Sequence, residues 1–88
     1  MLSILIPVRN ESDSLSDIIQ YYFKNLINLN YEVLIINDFS DDDTLDKATK
    51  LFSENNNFKV LNNKKKGLGG AINLGIKEAR GSKIAIMM

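Results

Sequence analysis

Three polar stretches carry the side chains that could do chemistry: "VRNE" at 8–11, "NDFSDDDT" at 37–44 and "NNKKKGLGG" at 62–70. The second is the densest in carboxylates, with Asp38, Asp41, Asp42 and Asp43. Acids grouped this way serve metal, sugar or nucleotide chemistry, or they cap the helix that follows. Asp38 comes directly after an apolar run and is the best placed of the four to accept hydrogen bonds from a nucleobase or from ribose hydroxyls. Asp41, Asp42 and Asp43 fit a helix entry better, because aspartate is a favoured N-cap and acids near a helix start contribute about 0.3–1 kcal/mol each. In "KKKGLGG" the lysines and the permissive backbone before a helix suit a diphosphate cradle; the alternative is a solvated basic loop. The stretch lacks the Lys-Ser/Thr ending of a P-loop and follows the third apolar run rather than the first, against a dinucleotide fingerprint. In "PVRNE", Arg9 can reach phosphate or base and Glu11 base or ribose, while Pro7 fixes the turn. The bland version of the same residues is a strand end running into a polar helix entry.

Composition narrows the chemistry. The chain has no cysteine and no histidine, which removes disulfides, thiolate nucleophiles, imidazole bases and the usual zinc sets. Eleven basic residues balance eleven acidic ones, so there is no general electrostatic grip on nucleic acid or on an anionic membrane. The 88 residues make one small domain, 1–88, of a size that buries about 60% of its unfolded surface. Met1 to Val8 is too short and too uncharged at its start for a signal peptide, and no apolar run approaches a membrane span.

The elements that must position these stretches alternate in type. "SILIPV" (3–8), "EVLIIN" (32–37), "FKVLN" (58–62) and "KIAIMM" (83–88) read as strands, the first buried on both faces and the third, short and carrying a charge, at a sheet edge. Pro7 marks the end of the first, since proline cannot donate to a ladder. Leu15, Ile18, Ile19, Tyr22, Leu26 and Leu29 recur at helical spacing behind a Ser14–Asp17 capping box. A second helix begins near Asp43 or Thr44 with Leu45, Ala48 and Phe52 on one face. A third turns Leu68, Ile72, Ile76 and Ala79 inward and stops at Gly81.

The order β-α-β-α-β-α-β, with right-handed crossovers, gives a Rossmann-like α/β domain of three layers, a parallel sheet with helices on both faces. Ligands of such sheets bind beyond the carboxyl ends of the strands, and each polar stretch follows a strand. With strand order 3-2-1-4, residues 83–88 form an unprotected apolar edge, so self-association through them is expected. The chain stops inside that strand with no turn or polar tail, which reads as a piece of something longer.

With "ILIPVRNES", "YEVLIINDFSDDDT" and "KGLGGAINLGIKEARGSKIAIMM" assembled, the chain resembles the N-terminal half of the family-2 inverting glycosyltransferases of GT-A fold. Within them, "GLGGAI" looks most like the polyprenyl-phosphate sugar transferases. Pro7, Val8, Asn10 and Glu11 match the family's first block, Asp38, Ser40, Asp42 and Thr44 its second, and Gly67, Asn73, Gly75, Ala79 and Gly81 its third. Two residues depart from the pattern. Asn37 replaces the first aspartate of the usual pair, and Phe39 stands where glycine or asparagine is commonest.

The resemblance implies transfer of a sugar, with inversion, from a UDP- or GDP-sugar to an acceptor such as polyprenyl phosphate. It implies that Pro7, Val8, Glu11 and Asp38 hold the nucleoside, with Arg9, Lys66, Gly67, Leu68 and Gly69 near the diphosphate. The family's Asp-x-Asp motif, which holds Mg or Mn, is expected just beyond Met88, and the acceptor base further on. These 88 residues would then supply neither metal ligands nor a catalytic base and would be inactive alone. A cytoplasmic setting, at the cytoplasmic face of a membrane in the longer protein, goes with that reading. Two rivals remain in view. A small non-catalytic nucleotide-binding module needs no further residues. A nucleotidyltransferase would place a glycine-rich basic loop after the first strand, where this chain has "RNESDS".

Overall fold

The computed structural model describes residues 1–25, 30–53, 56–64 and 67–87, and the side chains of all of these except 19 and 22–25. The elements are β1 (Leu2–Val8), a 3-10 turn (Ser12–Ser14), α1 (Leu15–Asn25), β2 (Tyr31–Asp38), α2 (Thr44–Phe52), β3 (Phe58–Asn63), α3 (Leu68–Glu78) and β4 (Lys83–Ile86). All neighbouring strands pair in parallel, in the order β3-β2-β1-β4. That is the expected alternation and the expected strand order.

β2 is buried along its whole length, because its apolar run feeds both faces of the sheet. Strand side chains alternate sides, so Val33 and Ile35 join Ile4, Ile6, Val8, Leu15, Ala48 and Phe52 in a core under α1 and α2. Leu34 and Ile36 join Leu5 and Ala71 in a second core under α3. Phe52 and Phe58 stack with centroids 4.8 Å apart and seal the first core beside β3.

Pro7 sits inside the ladder opposite Ile36, one residue short of the strand's end. β4 pairing reaches only Leu5 and Ile86, and the Leu5 carbonyl accepts from Met87 N at 2.9 Å. Two residues on, the Pro7 nitrogen faces the same side, past the last β4 pair, where no donor is needed.

The inward face of α3 differs from expectation. Leu68 and Ile76 are 47% and 46% exposed, and the buried positions are Ala71 and Gly75. Leu74 and Ala79 pack against the second core. The helix approaches the sheet by its smallest side chains: a Cβ on Gly75 would lie 2.6 Å from Ile36 Cδ1 and 2.7 Å from Leu5 Cδ2. Gly81 is not the helix stop either, since α3 caps at Ala79 in extended backbone. Its need for glycine is closeness, with a Cβ there falling 2.5 Å from Ser3 Oγ and 2.6 Å from the Met1 carbonyl.

In α1, Leu15 is buried and Ile18 packs against the first core. Leu26 and Leu29, with the side chains of Ile19 and Tyr22, lie outside the described residues. In place of the Ser14–Asp17 capping box, the helix is entered through the 3-10 turn, with the Ser14 hydroxyl donating to Glu11 Oε2 at 3.2 Å.

At the amino end of the sheet one buried carboxylate joins three segments. Glu32, 4% exposed, accepts from Ser3 Oγ at 2.6 Å and from Arg80 N at 2.6 Å, and Arg80 Nε lies 3.5 Å away. Ser3 Oγ in turn accepts from Gly81 N at 2.8 Å.

Candidate nucleotide-binding rim

The loops after β1 and β2 are stapled together at the carboxyl end of the sheet. Asn10 N donates to Ser40 Oγ at 3.0 Å, and Asp41 N donates back to Asn10 Oδ1 at 2.8 Å. Glu11 N reaches Thr44 Oγ1 at 3.0 Å, and Ser12 Oγ reaches Asp43 Oδ1 at 2.5 Å. Asn10 takes a left-handed backbone, φ 52°, a conformation asparagine tolerates better than most residues. Asn10 and Ser40, two of the motif positions, thus work as fasteners.

Of the three clustered aspartates, only Asp42 serves the start of α2. Its Oδ1 accepts from Thr44 N at 2.9 Å and from the Thr44 hydroxyl. The hydroxyl bond is the main reason its carboxyl is held below the ordinary range. Asp43 occupies the N-cap position without making a side-chain cap bond. Among the described residues no three acidic side chains converge where they could hold a metal ion. Asp42 and Asp43 are engaged by Thr44 and Ser12, so the described residues offer no converging carboxylate set that fits a divalent cation.

Asp38 is 7% exposed, and its Oδ1 turns toward the glycine loop. It accepts from Asn63 Nδ2 at 3.0 Å and from Gly67 N at 3.1 Å. Asn63 Nδ2 also donates to the Gly67 carbonyl at 3.3 Å. The other oxygen, Oδ2, makes no bond among the described residues. Since no buried side-chain oxygen or nitrogen there lacks a partner, Oδ2 reaches solvent. Asn37, 3% exposed, is engaged at both ends: Nδ2 donates to Asn62 Oδ1 at 3.0 Å, and Oδ1 accepts from Ser40 Oγ at 2.5 Å.

Gly67 itself has φ 144°, backbone that side-chain-bearing residues rarely adopt. α3 makes its first intrahelical bond from Ala71 N to the Gly67 carbonyl, so the N–H groups of residues 68, 69 and 70 precede the ladder. Nothing lies within 4 Å of a Cβ built on Gly69, so a ligand can approach that turn. The fold therefore brings Asp38, Gly67, Leu68 and Gly69 together. Arg9 and Glu11 are exposed on the neighbouring loop, and Pro7 is half-buried. Val8 points its side chain into the first core and has only backbone to offer. Lys66 lies outside the described residues.

Asn62 and Asn63 were not singled out in the sequence, yet they connect the rim. The parallel register puts them there, with Asn37 opposite Asn62 and Asp38 opposite Asn63, and the pattern along the chain does not carry that register. Beside them lies an open cleft of about 350 Å³ lined by Phe39, Leu45, Asp46, Asn62 and Lys64. It adjoins the predicted residues rather than containing them. Phe39 is 48% exposed at φ 55°, where a Cβ-bearing residue costs roughly 1–2 kcal/mol. Phe39→Asn is therefore expected to raise stability by about 0.5–1 kcal/mol. A urea midpoint that stays put or falls would show that the ring repays that strain through packing.

A family model described as "Glycosyl transferase family 2" matches residues 3–87. The dolichol-phosphate mannosyltransferase of Pyrococcus furiosus is 35% identical over 86 residues, which are 98% of this chain and 24% of that protein. The crystal structure of Staphylococcus aureus TarS 1–349 in complex with UDP superposes with a TM-score of 0.82 at 22% identity, covering 98% of this chain and 26% of that one. The mannosyltransferase PcManGT of Pyrobaculum calidifontis, in complex with GDP-Man and Mn2+, gives 0.67 at 20% identity, covering 94% and 25%. At these identities the two structures speak for the fold. The chain spans about a quarter of the length of the curated relatives it matches.

Proposed function

The chain belongs to glycosyl transferase family 2, and we propose that it is the nucleotide-binding part of an enzyme that moves a sugar from a UDP- or GDP-sugar to an acceptor with inversion. The observation that carries this reading is the contact between Asp38 Oδ1 and Gly67 N. It sets a carboxylate beside the open first turn of a helix, the pairing that a nucleoside diphosphate requires. Asp38 and the backbone of Pro7 and Val8 take the nucleoside. Glu11 takes base or ribose. Arg9, Lys66 and the N–H groups of Leu68 and Gly69 receive the diphosphate, whose negative charge the helix N-terminus favours.

In the transfer step the acceptor oxygen bonds to the anomeric carbon as the bond to the diphosphate oxygen breaks; a hydroxyl acceptor gives its proton to a carboxylate base, whereas a phosphate acceptor attacks through an oxygen that is already ionised. Holding donor and acceptor in line supplies much of the rate. In this proposal the base and the carboxylates that would hold a divalent ion lie outside these 88 residues, and the ion would stabilise the leaving diphosphate. The chain alone is expected to be inactive. Among the described residues no helix is long and apolar enough to cross a membrane. A polyprenyl phosphate acceptor and work at the cytoplasmic face of a membrane complete the proposal.

Nucleotide titration followed by amide NMR tests it. UDP or GDP should shift Val8–Glu11, Asp38 and Gly67–Gly70 together, and Asp38→Ala should weaken binding at least about tenfold. Shifts scattered elsewhere, or affinity unchanged in Asp38→Ala, would remove Asp38 from the site. We also propose that the outer edge of β4, where Ile84, Ile86 and Met87 are 42%, 41% and 42% exposed, pairs with a second copy of this chain. Light scattering should then give a mass that rises with concentration; a constant monomer mass rules the pairing out.

A further inference from the structure

Phe39 is strained and exposed at once, and neither core accounts for it. Its backbone sits at φ 55°, its ring is exposed, and it belongs to neither apolar cluster. The flanking residues leave the turn no room to relax. Ser40 Oγ donates to Asn37 Oδ1 and accepts from Asn10 N, while Asp41 N donates to Asn10 Oδ1. On the other flank Asp38 Oδ1 is held by Asn63 Nδ2 and Gly67 N. A side-chain-bearing residue kept in left-handed backbone by its neighbours is strain of the kind that clusters at ligand contacts. The ring stands at the wall of the open cleft of about 350 Å³. Side chains alternate along β2, with Val33 and Ile35 under α1 and α2 and Leu34 and Ile36 under α3. Asn37 continues the first face and Asp38 the second. The cleft, lined by Asn37 and by Leu45 and Asp46 of α2, therefore opens on the α2 side, whereas the contact between Asp38 and Gly67 lies toward α3.

We propose that this cleft is a second ligand site, separate from the nucleotide rim, that takes a neutral pyranose ring with Phe39 as its stacking face. Phe39 and Leu45 supply an apolar wall. Beside them stand Asp46, Lys64 and the Nδ2 of Asn62, none of them bonded among the described residues. Asn62 Oδ1 already accepts from Asn37 Nδ2 at 3.0 Å, so only the donor end of that amide is left for a ligand. A flat apolar face next to one carboxylate acceptor and two nitrogen donors matches a ring that carries C–H groups on its faces and hydroxyls around its edge. Each hydroxyl both donates and accepts, so neighbouring hydroxyls meet Asp46 on one side and Asn62 Nδ2 or Lys64 Nζ on the other. Other ligand classes fit less well. A phosphate would face the carboxylates of Asp42 and Asp46, and an organic cation would face Lys64. An apolar molecule would strand all three polar groups without partners. The volume is at the lower end of small-ligand sites, which suits a single ring.

Titration with methyl β-D-glucopyranoside, methyl α-D-mannopyranoside and cellotetraose, followed by amide NMR, is the test. Shifts should gather at Phe39, Leu45, Asp46, Asn62 and Lys64. A response to the methyl glycosides identifies a single sugar as the ligand, and a response to cellotetraose alone identifies a sugar within a glycan. Phe39→Asn should weaken sugar binding at least about fivefold. That variant relieves the backbone, so its fold is not at risk, and it should gain stability as it loses the ligand. Phe39→Tyr keeps the ring face and should bind as the unaltered protein does. Asp46→Ala should lose at least about tenfold. Saturating UDP should leave the sugar affinity unchanged; displacement of the sugar by UDP would put it in the nucleotide rim and overturn the second site. Silence at these residues with all three sugars overturns the proposal, as does a response there to inorganic phosphate or methylammonium in place of the sugars. Undiminished binding in Phe39→Asn also overturns it.

Discussion

Gly75→Val is expected to lower the unfolding free energy by about 3 kcal/mol, at the upper end of what forced overpacking costs, and the melting temperature by about 15 °C. The new Cβ would lie 2.6 Å from Ile36 Cδ1 and within 2.8 Å of Leu5 Cγ. Leu5 and Ile36 are both fully buried and have nowhere to retreat. Either α3 lifts off the sheet or both side chains leave their rotamers. Gly69→Ala in the same helix is the control, with open space at its Cβ and a gain in helix propensity of up to about 1 kcal/mol. Two glycines in one helix should therefore shift a thermal melt in opposite directions. Equal shifts would mean that α3 does not approach the sheet as closely as these distances require.

The second large effect is expected at Glu32. Replacing it by leucine leaves the Ser3 hydroxyl and the Arg80 N–H without their acceptor in a nearly closed site. The loss should be about 3 kcal/mol, with Glu32→Gln losing less because an amide oxygen still accepts. Burial by itself raises the carboxyl's pKa. The Ser3 hydroxyl bond, the Arg80 backbone bond and the Arg80 charge outweigh it and hold the group below the ordinary 4.5. The unfolded chain therefore takes up this proton at a higher pH than the folded one. The stability Glu32 supplies is complete above 4.5 and disappears as pH falls through the lower folded value. Urea unfolding at a series of pH values should show an acid limb that flattens in Glu32→Gln. An identical limb in the two proteins would assign acid sensitivity to other carboxylates.

The sheet was legible because its signal is repetitive: continuous apolar runs at β1 and β2, a cluster of polar residues after each, and helical spacing between. The inward face of α3 was not, because apolar periodicity tracks hydrophobicity, whereas this helix is placed by the absence of side chains at Gly75 and Ala71. Leu68 and Ile76 carry the stronger apolar signal and face outward. The rim was half legible. Strand ends located Asp38 and the glycine loop, and the topology required them to meet. The partner that Asp38 Oδ1 takes is a tertiary fact, as is the closure of Asn37 onto Asn62. Both depend on the parallel register of β2 and β3, which pattern reading along the chain does not supply.

The bond between Gly81 and Ser3 spans 78 residues, whereas the one between Ser3 and Glu32 spans 29. In equilibrium terms the longer closure adds under about 1 kcal/mol. On a ribosome the difference is one of time. β1 can pair with β2 once residue 38 has emerged, but its other side waits for β4 and the face over Leu5 waits for α3. At roughly 5–20 residues per second, that wait is about 2–10 s. For that interval an interior strand of the finished sheet is the bare margin of an unfinished one, and a chaperone or a neighbouring nascent chain meets it first.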